Sequence, residues 1–212
     1  PAPPFITSTL QQEAARKLGF VSVALGTDPA KDPVIHEKTG NPQTFLGGSV
    51  SWDGKWLIAG VQHGWNSSDL YFKDARKPAA PWTPLVEGVD ANFELTVWKD
   101  RFYVNTNDGA PRYRVFAVDP RKPTRADWKE IVPQSADTLE SVAVIGDKLV
   151  LSYLHEVQSA LAIHDLNGKR VRAIDLPPLG TASGLTGNPD EDTAYFTYAS
   201  FTEAAVTYQA SI

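Results

Sequence analysis

From residue 20 onward, short apolar runs alternate with polar turn signals at intervals of about 8 to 12 residues. The longest runs are the length of single strands: Phe20 to Leu25, Trp56 to Val61 and Leu149 to Leu154. Pairs such as Asp53-Gly54 and Asn167-Gly168 stand between the runs and tolerate the positive φ of tight hairpin turns. This pattern predicts an all-β fold of the sandwich, barrel or propeller type.

A longer repeat becomes visible when the runs are grouped in pairs. A two-strand phrase recurs about every 45 residues, at residues 48–61, 93–105, 139–153 and, more weakly, 184–198. A third strand and usually a fourth follow each phrase. Four antiparallel strands at this period are typical of propeller blades, whereas an immunoglobulin-like sandwich is not expected to repeat at this period. We therefore predict a partial β-propeller of about four four-stranded antiparallel blades.

The repeat also predicts where the domains begin and end. Residues 1–19 form a Pro-rich N-terminal segment, and residues 20–212 form the partial propeller. Within the propeller we expect a blade remnant, three full blades and an incomplete blade, in that order, at residues 20–45, 46–90, 91–135, 136–179 and 180–212.

One segment departs from the strand pattern and predicts a short N-terminal helix at residues 9–18. Thr9 to Gln12 matches a capping box. Leu10, Ala14 and Leu18 fall on one helical face, and Gly19 fits the residue that ends a helix.

Composition and charge remove several classes of function. The chain has 212 residues, no cysteine, no methionine and a net charge of −5. Disulfides and cysteine metal sites are therefore excluded, and an acidic chain without a basic patch is not expected to bind nucleic acid. No apolar run approaches the roughly 20 residues of a membrane span, so we predict a soluble protein, cytoplasmic or periplasmic. The absent initiator and the Pro-rich start suggest excision from a longer chain.

The sequence holds none of the common catalytic or nucleotide-binding motifs, such as G-x-S-x-G, H-E-x-x-H or G-x-G-x-x-G. Its four histidines, His36, His63, His155 and His164, are scattered without ligand spacing, so surface or structural roles are expected. The acidic turn at residues 188–192 lacks the pattern of a calcium loop. We predict no metal site, no cofactor and no Ser-His-Asp triad.

Several segments resemble the propeller of the prolyl oligopeptidase family. The most specific run is a strand followed by Thr106-Asn107 and Ala110-Pro111, then Arg114 to Asp119, then Trp128 to Pro133. Further similar segments, in the family's order and spacing, lie at residues 25–32, 34–37, 50–57, 149–155, 161–168, 176–177 and 198–201. The resemblance covers about residues 20 to 210, nearly the whole chain.

The resemblance implies a seven-bladed propeller that covers an α/β-hydrolase domain. In that family the hydrolase domain carries a Ser-Asp-His triad and cleaves short peptides after proline, and the propeller excludes large folded substrates. The triad residues lie C-terminal to the propeller, so this chain is predicted not to hydrolyse peptides alone. The implied partners are the hydrolase domain and short proline-containing peptides.

The resemblance also implies candidate residues for the substrate cavity. In the family, the second strand of the blade that begins near Gly48 ends in a short segment facing the cavity. Gln62, His63 and Trp65 occupy the matching positions here. Trp65 is the strongest candidate for an apolar wall, and packing between blades is an equal alternative for its indole ring.

Departures from the family pattern lie at both ends of the matched region. Ser22-Val23 stand where the family usually has Tyr-His, and Ala204 replaces a proline near the end. These changes suggest a truncated, rearranged or engineered propeller segment. A different class of function is therefore also open: a self-assembling or partner-binding module that associates through open blade edges, without a peptidase role.

Overall fold

A computed structural model describes residues 20–21, 28, 34–37, 39–77 and 79–212, and these form antiparallel strands joined by turns. One 3₁₀ turn, Arg125–Asp127, interrupts them. Within the described ranges, no helix is long and apolar enough to cross a membrane. The strands are β1 (Phe20–Val21), β2 (Val34–His36), β3 (Thr44–Val50), β4 (Trp56–His63), β5 (Ser67–Asp74), β6 (Thr83–Val86), β7 (Phe93–Trp98), β8 (Arg101–Thr106), β9 (Arg114–Val118), β10 (Lys129–Val132), β11 (Thr138–Ile145), β12 (Lys148–His155), β13 (Gln158–His164), β14 (Arg170–Ile174), β15 (Gly180–Gly187), β16 (Thr193–Ser200) and β17 (Val206–Ser211).

Consecutive strands pair in each sheet, which confirms the predicted all-β repeat. The sheets have the orders β3-β4-β5-β6, β7-β8-β9-β10, β11-β12-β13-β14 and β15-β16-β17, and β1 pairs with β2. The last of the four larger sheets therefore has three strands in the part of the chain described, where the repeat predicts an incomplete blade. The predicted helix at residues 9–18 lies outside the described residues.

The hairpin turns are formed by the residues that the sequence marks. Gly54 has a φ of 70°, and the Asp53 carboxylate accepts hydrogen bonds from the Ser51 hydroxyl and the Lys55 amide. Lys99 and Asp147 adopt positive φ angles of 53° and 57° at the corresponding turns. The backbone twist of such turns matches that of the flanking strands, so each pair closes in register.

The described chain divides into two units, one up to Phe93 and one from Glu94 to Ile212. The larger sheet of the first unit buries the side chains of its inner strands, including Leu57, Leu70 and Phe72. Strand β3 of the same sheet is mostly exposed.

The second unit contains two apolar clusters, one on each face of the β11–β14 sheet. On one face, Leu139, Leu149 and Leu151 pack with Tyr103 and Val115 of the β7–β10 sheet. The other face packs on the β15–β17 sheet through a set that includes Ile145, Val150, Ile163, Phe196 and Tyr198. Because period-2 alternation puts successive side chains on opposite faces, one strand supplies both clusters.

Polar contacts also join these sheets. The Trp98 indole Nε1 donates to Asp147 Oδ1 at 2.6 Å, and Lys99 Nζ reaches the same oxygen at 3.0 Å. The hydrogen bonds from Trp98 and Lys99 hold the pKa of the Asp147 carboxyl below its usual value. Thr96 Oγ1 donates to the Val142 carbonyl oxygen at 3.0 Å. The turn between β11 and β12 is thus fixed against the turn between β7 and β8.

Candidate functional site

The three predicted cavity residues lie together at the turn that joins β4 to β5. Gln62 and His63 end β4, Gly64 turns the chain with a φ of 60°, and Trp65 stands in the turn itself. A residue without a Cβ adopts this left-handed conformation without steric cost, which allows a three-residue connection between paired strands.

His63 is held by a buried carboxylate on the neighbouring strand. Its Nε2 lies 2.7 Å from Asp69 Oδ2. Asp69 is buried, and its Oδ1 accepts a hydrogen bond from the Gly88 amide at 2.8 Å. A buried carboxylate needs such partners, because leaving it unpaired would be costly. Asp69 therefore joins the β4–β5 turn to the connection that follows β6.

Gln62 and Trp65 meet at a second residue of that connection. The Gln62 amide Nε2 donates to Asn92 Oδ1 at 3.1 Å, and Asn92 Nδ2 donates to the Trp65 carbonyl oxygen at 3.3 Å. Next to them, the Ser68 hydroxyl exchanges hydrogen bonds with the backbone of Phe93. The backbone of the turn is therefore anchored at several points.

The Trp65 side chain projects from this anchored turn and is 94% exposed. Trp98, by contrast, is 4% exposed and belongs to an apolar cluster. An exposed indole on an anchored backbone offers a flat apolar face to a ligand, with a polar N–H at its edge. The role of Trp65 as a cavity wall stays a prediction.

The remaining histidines have separate environments. His155 ends β12 as His63 ends β4, and its Nδ1 lies 2.7 Å from Asp137 Oδ1, which raises its pKa. His164 is buried, and its pKa is lowered by that burial. His36 lies against Trp82, with ring centroids 5.5 Å apart.

The part of the chain that the structure describes contains no catalytic triad and no metal centre. None of its serine hydroxyls is hydrogen-bonded to a histidine, and none of its His, Asp and Glu side chains gather in groups suited to a metal ion. The β4–β5 turn presents an indole, an amide and an imidazole.

Sequence reasoning missed the residues that hold this turn. Asp69 lies four residues beyond Trp65, and Asn92 lies 27 residues beyond Trp65. Neither has a motif of its own. The one available signal was the placement of Asp69 within an apolar strand, where a carboxylate is expected only with partners.

A family model gives the chain its relationship to known proteins. The model for the N-terminal β-propeller domain of prolyl oligopeptidase matches residues 7–212. The chain belongs to the prolyl oligopeptidase family. The resemblance read from the motif run at Thr106 to Pro133 is thereby confirmed.

Curated relatives of this family are similar over most of the chain. It is 28% identical over 178 residues to a prolyl endopeptidase of Elizabethkingia meningoseptica, covering 84% of this chain and 25% of that protein. It is 29% identical over 195 residues to a prolyl endopeptidase of Dictyostelium discoideum, covering 84% and 26%. The chain thus spans about a quarter of the length of these relatives.

Solved structures of the prolyl oligopeptidase family have the same fold. One structure, from an analysis of two prolyl endopeptidases, superposes with a TM-score of 0.87 at 43% identity and covers 100% of this chain and 31% of its own. Prolyl oligopeptidase B from Galerina marginata superposes with a TM-score of 0.79 at 19% identity, covering 90% of this chain and 28% of its own. The second likeness concerns the fold alone.

Proposed function

We propose that this chain is the non-catalytic propeller portion of a prolyl oligopeptidase-like serine peptidase. In the intact enzyme it would cover the active site and admit only short proline-containing peptides. The observation that carries the proposal is the series of consecutive up-and-down sheets along a chain that the family's propeller model matches from residue 7 to residue 212. In the intact enzyme an α/β-hydrolase domain would cover one end of the propeller and perform the hydrolysis.

Each larger sheet corresponds to one proposed blade. Strands β3, β7, β11 and β15 begin at Thr44, Phe93, Thr138 and Gly180, within about two residues of the boundaries expected from the repeat. The pair β1 and β2 corresponds to the blade remnant at residues 20–45. This agreement supports a partial propeller of about four blades.

Within this propeller, the β4–β5 turn is the proposed contact for peptide substrates. Proline-containing peptides favour extended, preorganised conformations that dock on aromatic side chains. Trp65 offers such a side chain, and its turn is held in place by the hydrogen bond that Asn92 donates to the Trp65 carbonyl oxygen and by the contact between His63 and the Asp69 carboxylate. Gln62 and His63 flank it and can exchange hydrogen bonds with a peptide backbone.

The test is a fluorescence titration with a blocked peptide, acetyl-Ala-Pro-Ala-amide, which has no charged ends. We expect a saturable shift in indole emission, and Trp65→Ala is expected to weaken binding about fivefold, because an aromatic contact contributes about 1 kcal/mol. Trp52→Ala is the matched control, since Trp52 is also exposed on this unit.

Two results would count against the proposal. Unchanged binding by Trp65→Ala, or a loss seen with Trp52→Ala instead, would remove the peptide contact from the β4–β5 turn. Release of p-nitroaniline from a proline p-nitroanilide peptide by the repurified chain would overturn its non-catalytic role.

A further inference from the structure

A groove of about 490 Å³ lies in the second unit, between the end of β10 and the outer strands of the β11–β14 sheet. Its volume is within the range of ligand sites. Three alanines form its floor: Ala160 and Ala162 on β13 and Ala173 on β14, with Ala162 and Ala173 paired across the strands. Their small side chains leave room above the sheet, and we call this feature the alanine groove.

Two cationic or protonatable side chains line one end of the alanine groove. His164 and Arg170 are paired across β13 and β14. His164 Nδ1 lies 2.9 Å from the Gly168 carbonyl oxygen, which can only accept, so Nδ1 carries the hydrogen and Nε2 is left to accept a hydrogen bond from a ligand. Arg170 has no hydrogen-bond or ion-pair partner among the described residues.

Carboxylates line the other end. Asp175 follows β14 and has no partner among the described residues, whereas Asp137, which also lines the groove, is paired with His155. Arg170 and Asp175 are five positions apart along an extended strand, which corresponds to a span of about 17 Å. Tyr153 and Gln158 also line the groove and carry polar groups that can bond to a peptide backbone, although Gln158 Oε1 already accepts from the Leu179 amide.

This arrangement has the charge pattern of an extended peptide with free ends. A peptide of five or six residues in β conformation spans about 17 to 20 Å. Its carboxylate is complementary to a guanidinium, its backbone N–H groups to an imidazole acceptor, and its ammonium group to a carboxylate. A small anion would use only one end of the groove and would leave Asp175 without a role.

We propose that the alanine groove binds an extended oligopeptide of five or six residues, with its terminal carboxylate on Arg170, a backbone N–H on His164 Nε2 and its amino terminus on Asp175. The site needs no proline in the peptide and no contact with Trp65. It is therefore a second peptide site, additional to the one proposed at the β4–β5 turn.

The experiment is isothermal titration of the whole chain with the proline-free hexapeptide Gly-Ala-Ser-Ala-Gly-Ala in three forms: free, amidated at its C terminus and acetylated at its N terminus. We expect the free peptide to bind, amidation to weaken binding at least tenfold and acetylation to weaken it several-fold. Resonances of the His164 ring should shift during titration with the free peptide, while those of His63 and His36 stay in place.

The matched variants are Arg170→Gln and Arg172→Gln. Both lie on β14, but the Arg172 guanidinium contacts the Ser211 carbonyl oxygen and is absent from the lining of the groove. Arg170→Gln should bind at least tenfold more weakly, and Arg172→Gln should bind as the unaltered chain does. Circular dichroism checks that both variants are folded.

Several outcomes would overturn this inference. Equal affinity for the free and amidated peptides, no binding at millimolar concentration, or a loss caused by Arg172→Gln would each remove the site. Acetate binding as tightly as the hexapeptide would reduce it to a simple anion site and remove the peptide. The peptide forms test the unaltered chain, so the result does not depend on how a variant folds.

Discussion

Strands β3 and β11 occupy the same place in their sheets and have opposite surroundings. Each is the first strand of a four-stranded sheet and pairs antiparallel with the next strand along the chain. On β3, Phe45 is 69% exposed and Val50 is 54% exposed. On β11, Leu139 and Ile145 are almost fully buried.

The difference lies in what packs on each strand. Leu139 belongs to the cluster shared with the β7–β10 sheet, and Ile145 belongs to the cluster shared with the β15–β17 sheet. Pairing to a neighbouring strand is common to β3 and β11, whereas burial is not. Strand identity is thus a local property of the sequence, and the stability that a strand contributes depends on the sheets beside it.

The largest expected effect is a difference in the free energy of unfolding between a substitution on β11 and one on β3. Leu139→Ala should lower the free energy of unfolding by about 3 kcal/mol, because it removes buried methyl groups and leaves a cavity. Phe45→Ala should change it by no more than about 0.5 kcal/mol, since the ring is already exposed. Urea denaturation of both variants measures the contrast, and similar losses would show that β3 is buried in solution.

Glycine substitutions give the next largest effect. A Cβ on Gly187 would lie 2.6 Å from Ile145 Cγ2 and 2.6 Å from the Thr193 carbonyl oxygen. Gly187→Ala should therefore destabilise the chain by about 1 to 3 kcal/mol through overpacking against β11. A Cβ on Gly47 of β3 meets no atom within 4 Å.

Gly47→Ala is the control for this substitution, and it should raise stability by about 0.5 kcal/mol, because alanine loses less backbone entropy on folding. Both variants can be compared by their urea midpoints. A tolerated Gly187→Ala would mean that β15 does not pack closely on Ile145.

The smallest expected effect is a dependence of stability on pH that comes from His155, at the end of β12. The pKa of His155 is raised in the folded chain by its hydrogen bond to Asp137. Its contribution to stability is therefore present below the unfolded pKa of about 6.5 and is lost as the pH rises through the folded pKa. The difference in unfolding midpoint between the unaltered chain and His155→Asn should shrink from pH 5.5 to pH 8.5.

His164→Asn gives the opposite sign and serves as the comparison. The pKa of His164 is lowered by burial, so its contribution is present above the unfolded pKa and is lost as the pH falls. The difference for this variant should therefore grow with pH. A parallel response of the two variants would contradict the assigned environments.

The strands and their turns could be read from the sequence because they depend on local chemistry. The strand-length run from Trp56 to Val61 lies in β4, Trp56–His63, and the Asp53-Gly54 turn needs only its own residues. The family followed from the motif run at Thr106 to Pro133 and from similar segments along most of the chain.

The parts that sequence reasoning missed depend on contacts between distant residues. Nothing near Asn92 indicates that its amide bonds to both Gln62 and Trp65. The alanine groove arises because Ala162 and Ala173 meet across two strands, and alanine in a strand is an ordinary residue by itself. Register and neighbouring sheets create both features.

The anchoring of Asp69 has a mechanical consequence for the first unit. Its carboxylate bonds to His63 with one oxygen and to the Gly88 amide with the other, so it links the end of β4 to the connection after β6. A force applied at Trp65 passes through Asn92 into that connection. The position of the turn that carries the Trp65 indole therefore depends on contacts outside its own hairpin.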